Sequence, residues 1–135
     1  MKVLIDTNNL LRCIPRKSKY RWLWDLFLDE EITLCVTTDI LEEYAEIIIE
    51  RTTLEIGQNI LRTIVDAENI VRVEPTYFWR LIHTDHDDDK FVDCAVACNA
   101  DYIITEDKHF KILEDVGFPK VIAISIDEFK TIINP

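Results

Sequence analysis

The side chains of this chain that could do chemistry are mostly acidic. Asp6 closes the apolar run KVLI, Asp107 comes just after YIIT, and HTDHDDDK sets Asp85, Asp87, Asp88 and Asp89 ahead of an apolar stretch. Carboxylates gathered in a partly buried setting repel one another, and without a counter-charge at least one has its pKa driven up. A divalent cation removes that conflict. Hard ions such as Mg²⁺ take oxygen ligands and retain several waters, so a few Asp and Glu side chains suit them well. Bound there, such an ion activates water and steadies a departing oxygen, which is chemistry for hydrolysing a phosphate ester. Plainer roles compete. N-capping and placement at a helix N-terminus account for Asp87 and Asp88 without any metal. Asp93 is harder to explain that way, because a charge inside an apolar helix is costly unless paired or exposed; it shares a helical face with Asp89, four residues earlier. Glu43 stands among Glu42, Glu46 and Glu50, and periodicity alone reads that stripe as a solvated face.

Other chemistries have less to stand on. His83, His86 and His109 lack the four defined nitrogen or sulfur ligands of a structural zinc site. Gly57 and Gly117 cannot form a phosphate cradle, and Ser18 and Ser125 occupy no nucleophile elbow. Cys13, Cys35, Cys94 and Cys98 show no CxxC spacing; Cys94 and Cys98 are expected to be small core residues. Fifteen basic against 26 acidic residues give a net charge of -11, which opposes non-specific binding to a polyanion. One segment runs against that balance. Arg12, Arg16, Lys17, Lys19 and Arg21 cluster beside Tyr20, Trp22 and Trp24, where cations and rings could meet RNA phosphates and bases. The same segment reads equally well as a solvated loop entering a helix whose tryptophans are core.

The elements that must position these groups follow from the hydrophobic pattern. At 135 residues and 48% hydrophobic composition, the chain is expected to be one domain, residues 1–135. KVLI at 2–5, TLCV at 33–36, IVRV at 70–73, YIIT at 102–105 and VIAI at 121–124 are short β-branched runs bounded by polar residues. Helical spacing appears at Trp22–Phe27, from Ile40 after the N-cap types Thr37, Thr38 and Asp39, over Leu54–Val65, and all round the helix from Phe91 to Ala100. Strands alternating with helices predict an α/β fold with a mostly parallel sheet of about five strands covered on both faces. In such sheets ligands bind outside the carboxyl ends of the strands, which gathers Asp6, Glu43 and Asp107 at one edge. MKVLIDTNNLL is too short and polar for a secretory signal, and no stretch approaches a membrane span. A cytoplasmic location with reduced cysteines is the expectation.

Three ordered blocks carry a resemblance. VLIDTNNLL, DILEEYAEIIIER and DDDKFVDCAVACNADYIITEDKHF resemble the motifs of the PIN-domain superfamily, in particular the VapC-like toxin ribonucleases of prokaryotic toxin-antitoxin systems. The likeness spans nearly the whole chain. It implies a three-layer α/β/α sandwich and a metal site of Asp6, Glu43, Asp89 and Asp107, with Glu43 preferred to Glu42 by its place before an aromatic residue. It also implies orienting roles for Asn8 and Thr105, Mg²⁺ or Mn²⁺ as cofactor, RNA as substrate, a small antitoxin as partner and often a homodimer. Asn9 departs from the family's usual aliphatic residue at that position.

The resulting expectation is a metal-dependent endoribonuclease, with Asp93 as an auxiliary acid and the segment Arg12 to Arg21 as RNA contact. Two other readings are phosphoryl transfer of the receiver or phosphatase type, and a catalytically weak module that binds RNA or antitoxin. The first lacks a second Asp two residues after Asp6, where Asn8 stands. The second is opposed by the intact acidic set.

Overall fold

Neighbouring residues of a β-strand point to opposite faces, yet Val3, Leu4 and Ile5 are all fully buried in a computed structural model that describes residues 1–134. The sheet they belong to is therefore covered on both sides. It comprises β1 (Lys2–Ile5), β2 (Thr33–Val36), β3 (Ile70–Arg72), β4 (Tyr102–Ile104) and β5 (Ala123–Ile124), in the order β3-β2-β1-β4-β5 with every pair parallel. The helices are α1 (Thr7–Cys13), α2 (Arg21–Leu28), α3 (Thr38–Arg51), α4 (Leu54–Asp66), α5 (Asp89–Cys98) and α6 (Ile126–Ile133), and 3₁₀ turns cover His86–Asp88 and Lys108–Asp115. The architecture is the expected three-layer α/β/α sandwich with a five-stranded parallel sheet. The last strand is shorter than the run VIAI suggested, pairing only at Ala123 and Ile124.

Local signals explain most of the boundaries. Thr37 caps α3 by accepting the Ile40 N–H at 3.1 Å, and a capping box between Ser125 and Glu128 starts α6. Asn99 ends α5 in the left-handed conformation, which a short polar side chain tolerates. α5 presents Phe91, Val92, Cys94, Ala95 and Cys98 to the core on several sides, as its all-round apolar pattern predicts. All four cysteines are buried free thiols. Trp24 is core, and the half-buried Trp22 stacks on Phe129 of α6 with ring centroids 6.4 Å apart. Among the described residues no helix is long and apolar enough to cross a membrane.

The connection order matters most for function. The chain steps from β1 outward through β2 to β3, then returns across the sheet to place β4 on the other side of β1. Connections after β1 and β4 therefore diverge, which opens a crevice at their carboxyl ends.

Candidate metal centre

Register brings the first two groups together. Ile5 lies opposite Ile104, so the next residue of each strand, Asp6 and Thr105, are also neighbours. Asp6 caps α1, its Oδ1 accepting the Asn9 N–H at 2.8 Å, while its Oδ2 accepts a hydrogen bond from the Thr105 hydroxyl. Burial raises the Asp6 pKa against the pull of those two bonds, and Glu106 and Asp107 push it the same way as burial. Thr105 Oγ1 in turn accepts the Asp107 N–H at 3.0 Å. Asp107 heads the 3₁₀ turn that follows, taking the His109 N–H on Oδ1 at 2.9 Å.

From Asp107 the contacts continue round a ring. His109 Nδ1 lies 3.4 Å from Asp107 Oδ1 and 3.5 Å from Asp88 Oδ2. Two residues on, Lys90 Nζ pairs with Glu43 Oε1 at 2.6 Å, and Glu43 Oε2 accepts the hydroxyl of Thr7, next to Asp6. Asp6, Glu43, Asp88 and Asp107 are thus linked by one chain of contacts, reached from four separate elements. Asp88 has the least comfortable surroundings for a charge. Its Oδ2 is shielded from solvent without a hydrogen-bond donor. Burial, then the charges of Asp107 and Asp85, push its pKa up to about 6, with His109 easing the shift. A carboxylate oxygen buried without a donor beside another carboxylate is what a cation would satisfy.

Asp89 makes bonds of its own. Its Oδ1 accepts the Ile82 N–H at 2.9 Å and its Oδ2 lies 2.8 Å from His86 Nδ1, and with Lys90 and Asp93 it lines a cavity of about 390 Å³. Asp93 lies one turn further along that face, its Oδ1 accepting the Trp79 N–H at 3.0 Å. Together they tie the segment before the 3₁₀ turn to α5, which explains how two acids are tolerated inside an apolar helix. Burial raises the Asp93 pKa. The capping role expected of Asp88 is corrected: its side chain makes no cap bond, and Asp85 accepts the Asp87 N–H at 3.0 Å instead.

Asn8 is exposed, whereas Asn9 is fully buried, donating to Glu106 Oε2 at 2.9 Å and accepting from Arg12 at 3.2 Å. A polar residue where an aliphatic one was anticipated thus ties α1 to the loop after β4. In the basic segment, Arg21 is engaged by Asp25 at 3.0 Å and by the Ile14 carbonyl. Arg12 and Lys19 sit over the Tyr20 ring at 4.5 and 5.0 Å, and Arg16 and Lys17 are exposed. Thr7, Asp88, Lys90 and His109 join these contacts, although the sequence assigned none of them to the metal. Helical phase held the signal for Asp88. One residue turns a helix by about 100°, so an acid adjacent to the Asp89–Asp93 face must look elsewhere.

A family model described as PIN domain matches residues 2–109. The chain belongs to the PIN domain family. Its fold is similar to that of VapBC2 from Rickettsia felis, a structure determined with a DNA fragment from the promoter, at a TM-score of 0.62 and 17% identity over 93% of this chain and 98% of that one. VapBC-1 from nontypeable Haemophilus influenzae superposes at 0.62 with 15% identity, covering 94% and 99% of the two chains. The PIN domain endonuclease Utp24 superposes at 0.53 with 20% identity, covering 92% and 85%. At these identities the likeness concerns the fold. A comparison with curated proteins finds no match. Within this PIN domain the acidic ring lies at the carboxyl ends of β1 and β4, the edge where parallel sheets take their ligands.

Proposed function

We propose that this PIN domain is a divalent-metal-dependent endoribonuclease and the toxin member of a toxin-antitoxin pair. The observation that carries the reading is Asp88 Oδ2, buried without a donor beside Asp107 in a ring that also contains Asp6 and Glu43. Those four acids would hold Mg²⁺ or Mn²⁺, with Asp88 taking the place that the sequence motif suggested for Asp89. When bound, the ion supplies charge neutralisation for the ring and a water acidic enough to attack phosphorus. The chain's own residues do the rest. Thr105 donates to Asp6, and Thr7 donates to Glu43, so each hydroxyl fixes the rotamer of a ligand. Lys90 balances the charge of Glu43 at 2.6 Å. The exposed cations Arg12, Arg16, Lys17 and Lys19 are the means by which an acidic protein would hold RNA. The VapBC neighbours support a small antitoxin as partner. A homodimer and a cytoplasmic location belong to the same reading.

The test is cleavage of mixed total RNA with Mn²⁺ or Mg²⁺ against EDTA, comparing wild type with Asp6→Asn and Asp88→Asn, each also melted with and without metal. Metal-dependent cleavage lost in both variants, with the melting temperature raised by metal only in wild type, is the expected result. Retained cleavage in Asp88→Asn sinks the site assignment. Stabilisation by metal without cleavage of any RNA in the pool would move the domain to a binding role.

A further inference from the structure

Three histidines lie near the acids, and only one meets the ring. His86 is committed to Asp89 at 2.8 Å and His83 is exposed, whereas His109 Nδ1 faces Asp107 and Asp88 at 3.4 and 3.5 Å. We propose that His109 is a nitrogen ligand of a divalent ion held at the Asp88 side of the ring, where it forms with Asp85 and Asp88 a mixed imidazole–carboxylate site that selects Mn²⁺ over Mg²⁺. This rests on the reading that the acidic ring holds a divalent ion, and adds which ion and through which atom.

Geometry carries the inference. One ligand atom each from Asp85, Asp88 and His109 lie within 4.8 Å of one another. In an octahedron with bonds of about 2.1 Å, neighbouring ligands are about 3.0 Å apart and opposite ones about 4.2 Å, so the three can share one ion after small rotations. Asp88 Oδ2, shielded and lacking a donor, lies 3.5 Å from His109 Nδ1. One Asp85 oxygen is occupied by the Asp87 N–H, which leaves the other available. The backbone of His109 is anchored to Asp107 Oδ1 at 2.9 Å, and its ring is 44% exposed, so the ligand is placed in advance and an ion can reach it. Imidazole binds first-row transition ions well, while Mg²⁺ prefers oxygen and its own waters. An all-oxygen site would not discriminate in this way.

Electron spin-echo spectroscopy of bound Mn²⁺ gives a direct readout, because a coordinated imidazole imprints ¹⁴N modulation. Wild type and the control His86→Gln are expected to show it, and His109→Gln to lose it. By calorimetry, His109→Gln should weaken Mn²⁺ roughly 10-fold or more and Mg²⁺ by no more than about threefold, on the scale of losses seen when metal-site partners are removed. Mn²⁺ bound to wild type without nitrogen modulation, or with unchanged affinity in His109→Gln, overturns the imidazole ligand while the carboxylate reading stands. No binding of either ion overturns both. A proton shared between His109 and the two carboxylates, the competing account of the same distances, gives the first of these results.

Discussion

Asp88 and Asp89 are adjacent residues of one type whose surroundings give them opposite work. Asp88 Oδ2 meets another carboxylate and has no donor, so its side chain is destabilised without a cation. Its pKa in the fold, about 6, lies above the ordinary 3.8, so the folded protein binds the proton more tightly than the unfolded chain does. The stability linked to that proton is fully present below the unfolded value and is lost as pH rises through the folded one. Asp88→Asn in EDTA should therefore gain melting temperature on wild type as pH rises from about 4 to about 7; no gain would mean that the charge is already balanced. Asp89 is satisfied in the fold. Asp89→Ala leaves the buried Ile82 N–H without its acceptor, a loss of roughly 1–3 kcal/mol, and should lower the melting temperature while preserving stabilisation by metal.

At the scale of elements, the site depends on how strand ends become helix starts. Asp6 both caps α1 and faces the ring, so Asp6→Asn, a good cap without the charge, separates the two roles and Asp6→Ala does not. α3, which carries Glu43, is held by close packing against α4 at Gly57. A Cβ there would stand 2.2 Å from Ile49 Cγ1 and 3.3 Å from its backbone nitrogen. Alanine would gain up to about 1 kcal/mol in helix propensity, but overpacking costs about 1–3 kcal/mol. Gly57→Ala should therefore lower the denaturation midpoint; a raised midpoint would mean that Ile49 swings aside freely.

For the molecule as a whole, charge is the governing quantity. A net charge of -11 repels RNA over most of the surface, and the exposed cations after α1 are a local exception. If Arg16 and Lys17 each meet a phosphate, the double reversal Arg16→Glu with Lys17→Glu should raise KM and flatten the salt dependence of RNA binding by about 1.4, at about 0.7 per contact with a single strand. Cleavage with an unchanged salt slope would remove these residues from the substrate path. Arg21 is a poorer target, since its guanidinium already serves Asp25 and Ile14.

Local patterns were enough to place the strands and helices α2 to α5, though not α6, because buried parallel strands are continuous apolar runs and helices repeat every 3.6 residues. Asp6 and Asp107 could be assigned to one edge of the sheet from the same alternation. α1 escaped notice because its seven residues are too few to show a period, and its start is an Asp that already had another role. Strand order, with β4 beside β1, was settled by tertiary packing, and with it the meeting of Asp6 and Thr105 across 99 residues. So was the choice within the Asp run. Four like residues in five positions look alike to any pattern, and only rotation about α5 turns Asp89 to the backbone of Ile82 and leaves Asp88 facing Asp107 and His109.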